Sequence, residues 1–225
     1  MRRALKGLLA VLLMAGGTAA CAYQGGDIAD PVVRKFHWFS FLDGGDDIRA
    51  NCAPGAPDRF RVVYNGLYSQ QVRIYQLDSL QKILSVKIVG SGNAGRLQAD
   101  DLLAPWRADD SKLHLDQGTY DRLVASFAGD GMFGPPPVGL RLPSQSYYWT
   151  AATCRDGRYG FTAWKHPSAA FDALTFAGNL FALDPSGIPV NAAGPVPFDA
   201  QRADNVRRGE TTDFTLEVGP RGLYR

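Results

Sequence analysis

Residues 147–164 constrain the fold more than any other stretch of this chain. Asp156-Gly157 suits a two-residue type I′ turn, which needs positive φ at both central positions. On either side lie runs rich in aromatic and β-branched residues. A tight turn there sets the register residue by residue. Cys154 then faces Tyr159, Ala152 faces Phe161 and Thr150 faces Ala163, while the opposite side pairs Thr153 with Gly160, Ala151 with Thr162 and Trp149 with Trp164. The cysteine side is expected to be core. The pair Trp149 and Trp164 is a possible binding surface for a sugar, a lipid or a protein, unless a helix or the C-terminal segment covers it.

Other segments share this β character. Phe60, Val62 and Tyr64 alternate with Arg59 and Arg61, as a half-buried strand does. Asn65-Gly66 comes next, but a tight turn there would put Ser69 and Gln71 on the apolar side. A longer loop or a bulge is therefore expected. Leu84, Val86 and Ile88 mark the next strand, and Phe214, Leu216 and Val218 a last one that ties the tail into the sheet. Residues 32–42, with Phe36, Trp38, Phe39 and Phe41, read as an aromatic strand. The acids of residues 43–47 read as a solvated turn, since their spacing does not fit an EF-hand loop.

Two helices are expected. Residues 119–129 place Tyr120, Leu123, Val124 and Phe127 at helical spacing behind a capping Thr119, and Gly129 stops them. Residues 168–178 repeat the pattern less cleanly, with a second stripe of Phe176, Leu180 and Leu183. Residues 132–137 end in three prolines and should run extended in solvent, and residues 184–197 should be loop. The fold class is α+β: one mostly antiparallel sheet of about five to seven strands with two helices on one face.

The first twenty-one residues carry a different message. Arg2, Arg3 and Lys6 precede an apolar run over residues 8–14, and Thr18-Ala19-Ala20 leads to Cys21. That order is the layout of a secretory signal. It resembles the leader of bacterial lipoprotein precursors, a likeness confined to this segment. Ala19, Ala20 and Cys21 match the lipobox, whereas Thr18 stands where leucine is usual. An ordinary signal peptide is the alternative.

The resemblance implies that residues 1–20 are removed and that Cys21 carries the fatty acyl chains, of the palmitate kind, that anchor the protein. Ala22 after the cysteine, rather than aspartate, implies the outer membrane, facing the periplasm. Residues 21–31 would be the lipidated cysteine and its flexible tether, and residues 32–225 a single domain. Reserving Cys21 for lipid leaves Cys52 and Cys154, in an oxidising compartment, to form a disulfide. Two free thiols are the competing reading.

Function is less legible. The leader holds three of the 24 basic residues and none of the 22 acids, so the remaining chain carries 21 basic against 22 acidic residues, net −1. Nothing in that balance suggests nucleic acid or an anionic membrane surface as a partner. Residues 90–95 spell GxGxxG, yet antiparallel hairpins precede them and Pro105 interrupts the short apolar segment on their C-terminal side. The dinucleotide reading lacks its βαβ unit even though Asp109 and Asp110 lie near the right distance, and a glycine-rich turn is preferred. His37, His114 and His166 have no metal-ligand spacing, and GxSxG, HExxH and Walker patterns are missing from the sequence. No catalytic residue, cofactor or metal is assigned. The leading expectation is a non-enzymatic envelope lipoprotein that binds a protein partner or maintains the envelope. An envelope hydrolase with a hidden site, and a small-ligand binder using Trp149 and Trp164, are the alternatives.

Overall fold

The computed structural model describes residues 23, 25–90, 102–103, 106–210 and 213–224. Six strands build one antiparallel sheet: β1 (Arg59–Gly66), β2 (Gln71–Asp78), β3 (Ile83–Gly90), β4 (Asp109–His114), β6 (Tyr147–Arg155) and β7 (Arg158–Lys165), ordered β4-β3-β2-β1-β6-β7. The β6–β7 register is the one expected, Trp149 opposite Trp164 and Cys154 opposite Tyr159. Asp156 and Gly157 adopt φ of 51° and 69°, as a type I′ turn requires. Cys52 and Cys154 are joined in a disulfide with Cα atoms 5.5 Å apart. The chain is an α+β fold.

The β1–β2 connection is longer than two residues. Gly66 pairs with Gln71 across a loop of residues 67–70, with Leu67 at φ 63°. That loop keeps Val62 opposite Tyr75 and Val63 opposite Ile74, so both faces of the hairpin stay apolar. Both faces are in fact buried. On one, α2 (Gln117–Gly129) and α4 (Thr175–Ala182) set Leu123, Phe127, Phe176 and Leu180 against Phe60, Val62, Val86 and Trp149. The two expected helices do share this face, although the second divides into α3 (Ala169–Asp172) and α4. Met132, expected in an extended solvent-facing segment, is fully buried in the same layer.

The other face corrects the sequence reading most. Residues 32–42 are no strand. They form α1 (Pro31–Asp43), which buries Phe41 and Leu42 against Val63, Ala152 and Phe161. The reason is local. Asp30 caps the helix by accepting from the N–H groups of Val32 and Val33, Pro31 occupies the first turn, and Gly44 at φ 63° closes it. Residues 43–47 are not a free turn either. Asp43 is buried, and a π-helical turn (Gly45–Arg49) carries Asp47 to Arg61. Gly44 is required there twice over, since an added Cβ would stand 2.4 Å from Ala152 Cβ.

A second, three-stranded sheet covers the rest of this face. It comprises β5 (Arg141–Pro143), β8 (Thr215–Val218) and β9 (Leu223–Tyr224), ordered β5-β8-β9. The last long strand therefore joins this small sheet and not the main one, burying Leu216, Val218 and Leu223. A further helix, α5 (Ala200–Arg208), is not expected from the sequence. Its residues are all exposed or half-buried, which leaves little apolar periodicity to read. Nor do residue 23 and residues 25–30 behave as a free tether. Tyr23, Ile28 and Ala29 are buried, and the Tyr23 ring meets Phe41 edge-on at 4.9 Å.

Candidate functional site

The core disposes of one expected surface. Trp149 is 1% exposed and Trp164 8%, both under Phe176 of α4 with ring centroids 5.3 and 5.2 Å away. Tyr64 and Phe181 complete the stack on Trp149. The pair is a packing core and presents no open face. The glycine-rich GxGxxG stretch beyond Gly90, and Cys21 itself, lie outside the described residues. His37 lies on α1, His114 on β4 and His166 beyond β7, in three separate elements. Among the described residues no group of three or more His, Cys, Asp or Glu is arranged to hold a metal ion. No helix among them is long and apolar enough to cross a membrane.

Among the described residues two guanidinium groups are fully buried, although Arg61 alternates with apolar residues as an outward-facing strand position would. Arg61 lies 3.6 Å over the Phe41 ring, donates to Phe41 O at 2.7 Å and pairs with Asp47. Arg73 pairs with buried Asp184, donates to Pro189 O at 2.8 Å and to Ile188 O, and so straps residues 184–191 across the sheet. Tyr75 also donates to Asp184, at 3.1 Å. Every contact of these arginines goes to the protein's own groups, and neither guanidinium reaches solvent. They are structural charges.

The open site lies on the other side of α1. A groove of about 470 Å3 runs between α1 and the second sheet, closed by the β1–β2 loop and by Trp106. Trp38 and Phe39 come from α1, Tyr68 from the loop, and Phe214 and Leu216 from β8 and its approach. Tyr68 packs edge-on against Phe214 at 4.9 Å and lies 6.1 Å from Trp38. Phe36 and Trp106 form an exposed rim, 63% and 51% accessible. The groove is thus aromatic in its walls, with Lys35 exposed at its edge.

Arg34 holds the rim in place. Its guanidinium donates to Ala29 O at 3.2 Å, to Ile28 O and to Trp106 O, fastening residue 106 to the start of α1. The Ala108 N–H to Ala29 O bond at 3.1 Å adds a second tie. Burial draws the Arg34 pKa below the ordinary guanidinium value. In the groove wall, the Trp38 indole N–H is buried with no hydrogen-bond partner among the described residues. A donor left unmade in this way costs about 1–3 kcal/mol.

A second cleft, about 430 Å3, opens over β2, β3 and β4 beside Tyr23 and Asp47. Charged side chains line it, among them Arg59, Asp78, Lys87 and Lys112, and Lys87 pairs with Asp110 at 2.7 Å and with Asp27 at 3.2 Å. The Ala29 N–H, and then Lys87, hold the Asp27 carboxyl below the usual carboxylate range. A cleft lined mainly by charged and polar groups suits an apolar side chain less well than an aromatic groove does. The aromatic groove is invisible in the sequence because its residues come from four separate segments. One signal is present, however. Asp30-Pro31 at one end and Gly44 at the other mark a helix, and on a helix Val32 and Phe36 share a stripe.

No protein-family model, curated protein or solved structure matches this chain.

Proposed function

We propose that this chain is an envelope lipoprotein, anchored through acylated Cys21 in the outer membrane and facing the periplasm, whose domain is a non-catalytic binding module. The leader's residue order supports the anchor, and the disulfide between Cys52 and Cys154 is in keeping with an oxidising compartment. The observation that carries the binding reading is the groove of Trp38, Tyr68 and Phe214 with its Phe36 and Trp106 rim. Aromatic anchors around a concave wall are the composition of binding hot spots. The buried arginines are closed to solvent, and the second cleft is lined mainly by charged and polar side chains. The partner is an envelope protein that places an apolar side chain in this groove.

Benzoylphenylalanine introduced at Tyr68 and irradiated in the native envelope tests the site. A discrete protein adduct is expected there, lost when Trp38→Ala opens the wall. The same probe at Leu80, exposed on the β2–β3 turn, should give no such adduct. Equal labelling from both positions refutes the groove. Separately, Cys21→Ala is expected to release the chain from membranes, and retention there would remove the anchor.

A further inference from the structure

We infer that the outer stripe of α1 rests in the lipid–water boundary of the membrane holding the anchor, so that the groove opens along the bilayer surface. This orientation rests on the anchored reading proposed for Cys21. Chain length is the first constraint. The Tyr23 N–H donates to Ser40 Oγ at 3.1 Å, and the Tyr23 hydroxyl donates to Gly26 O at 2.6 Å. The chain is therefore fastened to the domain at residue 23. Cys21 is two residues earlier, a reach of only about 7 Å even when extended. A ten-residue free tether would have let the domain turn in any direction, on the order of 18 Å from its anchor. A two-residue one does not.

The point of attachment decides which face meets the lipid. Ser40 lies on α1, and Phe36 and Val32 precede it at intervals of four, one and two turns along the same stripe. Both are exposed, at 63% and 50%. A lipid held within two residues of Tyr23 therefore emerges beside the most exposed apolar side chains of the helix. Trp106, in the rim shared with Phe36, and Leu103, whose carbonyl accepts from the Trp106 N–H, extend the apolar surface. Lys35 stands next to Phe36, exposed at the groove edge.

Phenylalanine, leucine and tryptophan with a flanking lysine is the mixture that settles at a membrane interface, tryptophan at the headgroup level and lysine reaching outward. One acyl anchor also makes insertion of a few such side chains an intramolecular event, which needs little further affinity. The groove's Phe36–Trp106 rim then lies at the membrane surface, and its ligand is met there.

The test uses the full acylated chain, reconstituted into phosphatidylethanolamine–phosphatidylglycerol vesicles with or without brominated acyl chains. Mass analysis of the N-terminal peptide is run on the same sample. Tryptophan emission should fall in brominated vesicles. Trp106→Phe should remove at least half of that quenching, since Trp149 and Trp164 are buried and Trp38 is half-buried in the groove wall. The doubly charged variant Val32→Asp/Phe36→Asp, still acylated, should reduce it at least two-fold. Emission equal in both vesicle types, or quenching unchanged by Trp106→Phe, overturns the orientation while leaving the anchor intact. An unmodified Cys21 overturns the anchored reading, and the orientation falls with it.

Discussion

The Leu223 N–H donates to a carboxylate oxygen of Asp43 at 2.7 Å, joining the last strand to the end of α1 across 180 residues of sequence. Arg49 approaches the other oxygen at 3.3 Å, and the Asp43 carbonyl accepts from the Tyr159 hydroxyl at 2.7 Å. One acid thus holds α1, β7 and β9 together, close under the second sheet. Asp43→Ala should destabilise the protein by about 1–3 kcal/mol, because it leaves a buried N–H without its acceptor. Asp43→Asn keeps an acceptor oxygen and should lose less. Urea midpoints at unchanged slope measure both.

Arg73 and Asp184 are both desolvated, with side chains 0% and 4% exposed. Arg73→Met should cost about 3–5 kcal/mol by stranding the carboxylate, whereas Arg73→Met/Asp184→Leu should recover much of the loss. Amide exchange at Ile188 and Asn191 should quicken in the single variant, because Arg73 donates to the Ile188 and Pro189 carbonyls of the same strap. A double-mutant cycle that sums to zero would show that the pair is uncoupled.

Breaking the disulfide should matter for a different reason. Cys52 and Cys154 are 102 positions apart, so the bond closes a long loop in the unfolded chain. Cys52→Ser/Cys154→Ser is expected to lose up to about 4.7 kcal/mol, the chain-entropy value for such a loop. Denaturation with and without reductant should give the same difference.

Alkaline pH should unfold the protein through its phenols. Burial is the main cause that raises the pKa of Tyr64, Tyr75, Tyr148 and Tyr159 above the ordinary value. Each has a folded pKa above its unfolded one. Their contribution to stability is therefore complete below about pH 10 and is lost as the pH rises through the folded values. At about pH 11, tyrosinate absorbance should show Tyr64, Tyr75, Tyr148 and Tyr159 still protonated, their signal appearing together with loss of circular dichroism.

Local chemistry explains what could be read in advance. The β6–β7 register is written into Asp156-Gly157 and the alternation beside it, and both partners lie within a few residues of the turn. The α2 helix carries its own apolar stripe, although its cap is Asp116, which accepts from the Thr119 N–H, and not Thr119 as expected. Residues 32–42 mislead because their aromatic content suggests a strand, whereas the cap and stop residues that bracket them decide for a helix. Strand β4 (Asp109–His114) has one large apolar residue in six, and no periodicity marks it. It forms because β3 offers it an open edge. Arg61 and Arg73 are legible as charges but not as buried ones, since their partners Asp47 and Asp184 lie 14 and 111 residues away.

What the amino-acid order settles unaided, then, is the local grammar: turns, caps, alternation and the order of residues leading to Cys21. Tertiary structure decided which faces are covered. A sheet apolar on both sides demanded two layers of cover, and that demand put Trp149 and Trp164 into the core. It folded the segment at Tyr23 onto α1, and it gathered Trp38, Tyr68, Trp106 and Phe214 into one groove. Burial depends on what packs above a residue, and four segments far apart in the chain carry no mark of their meeting until the core brings them together.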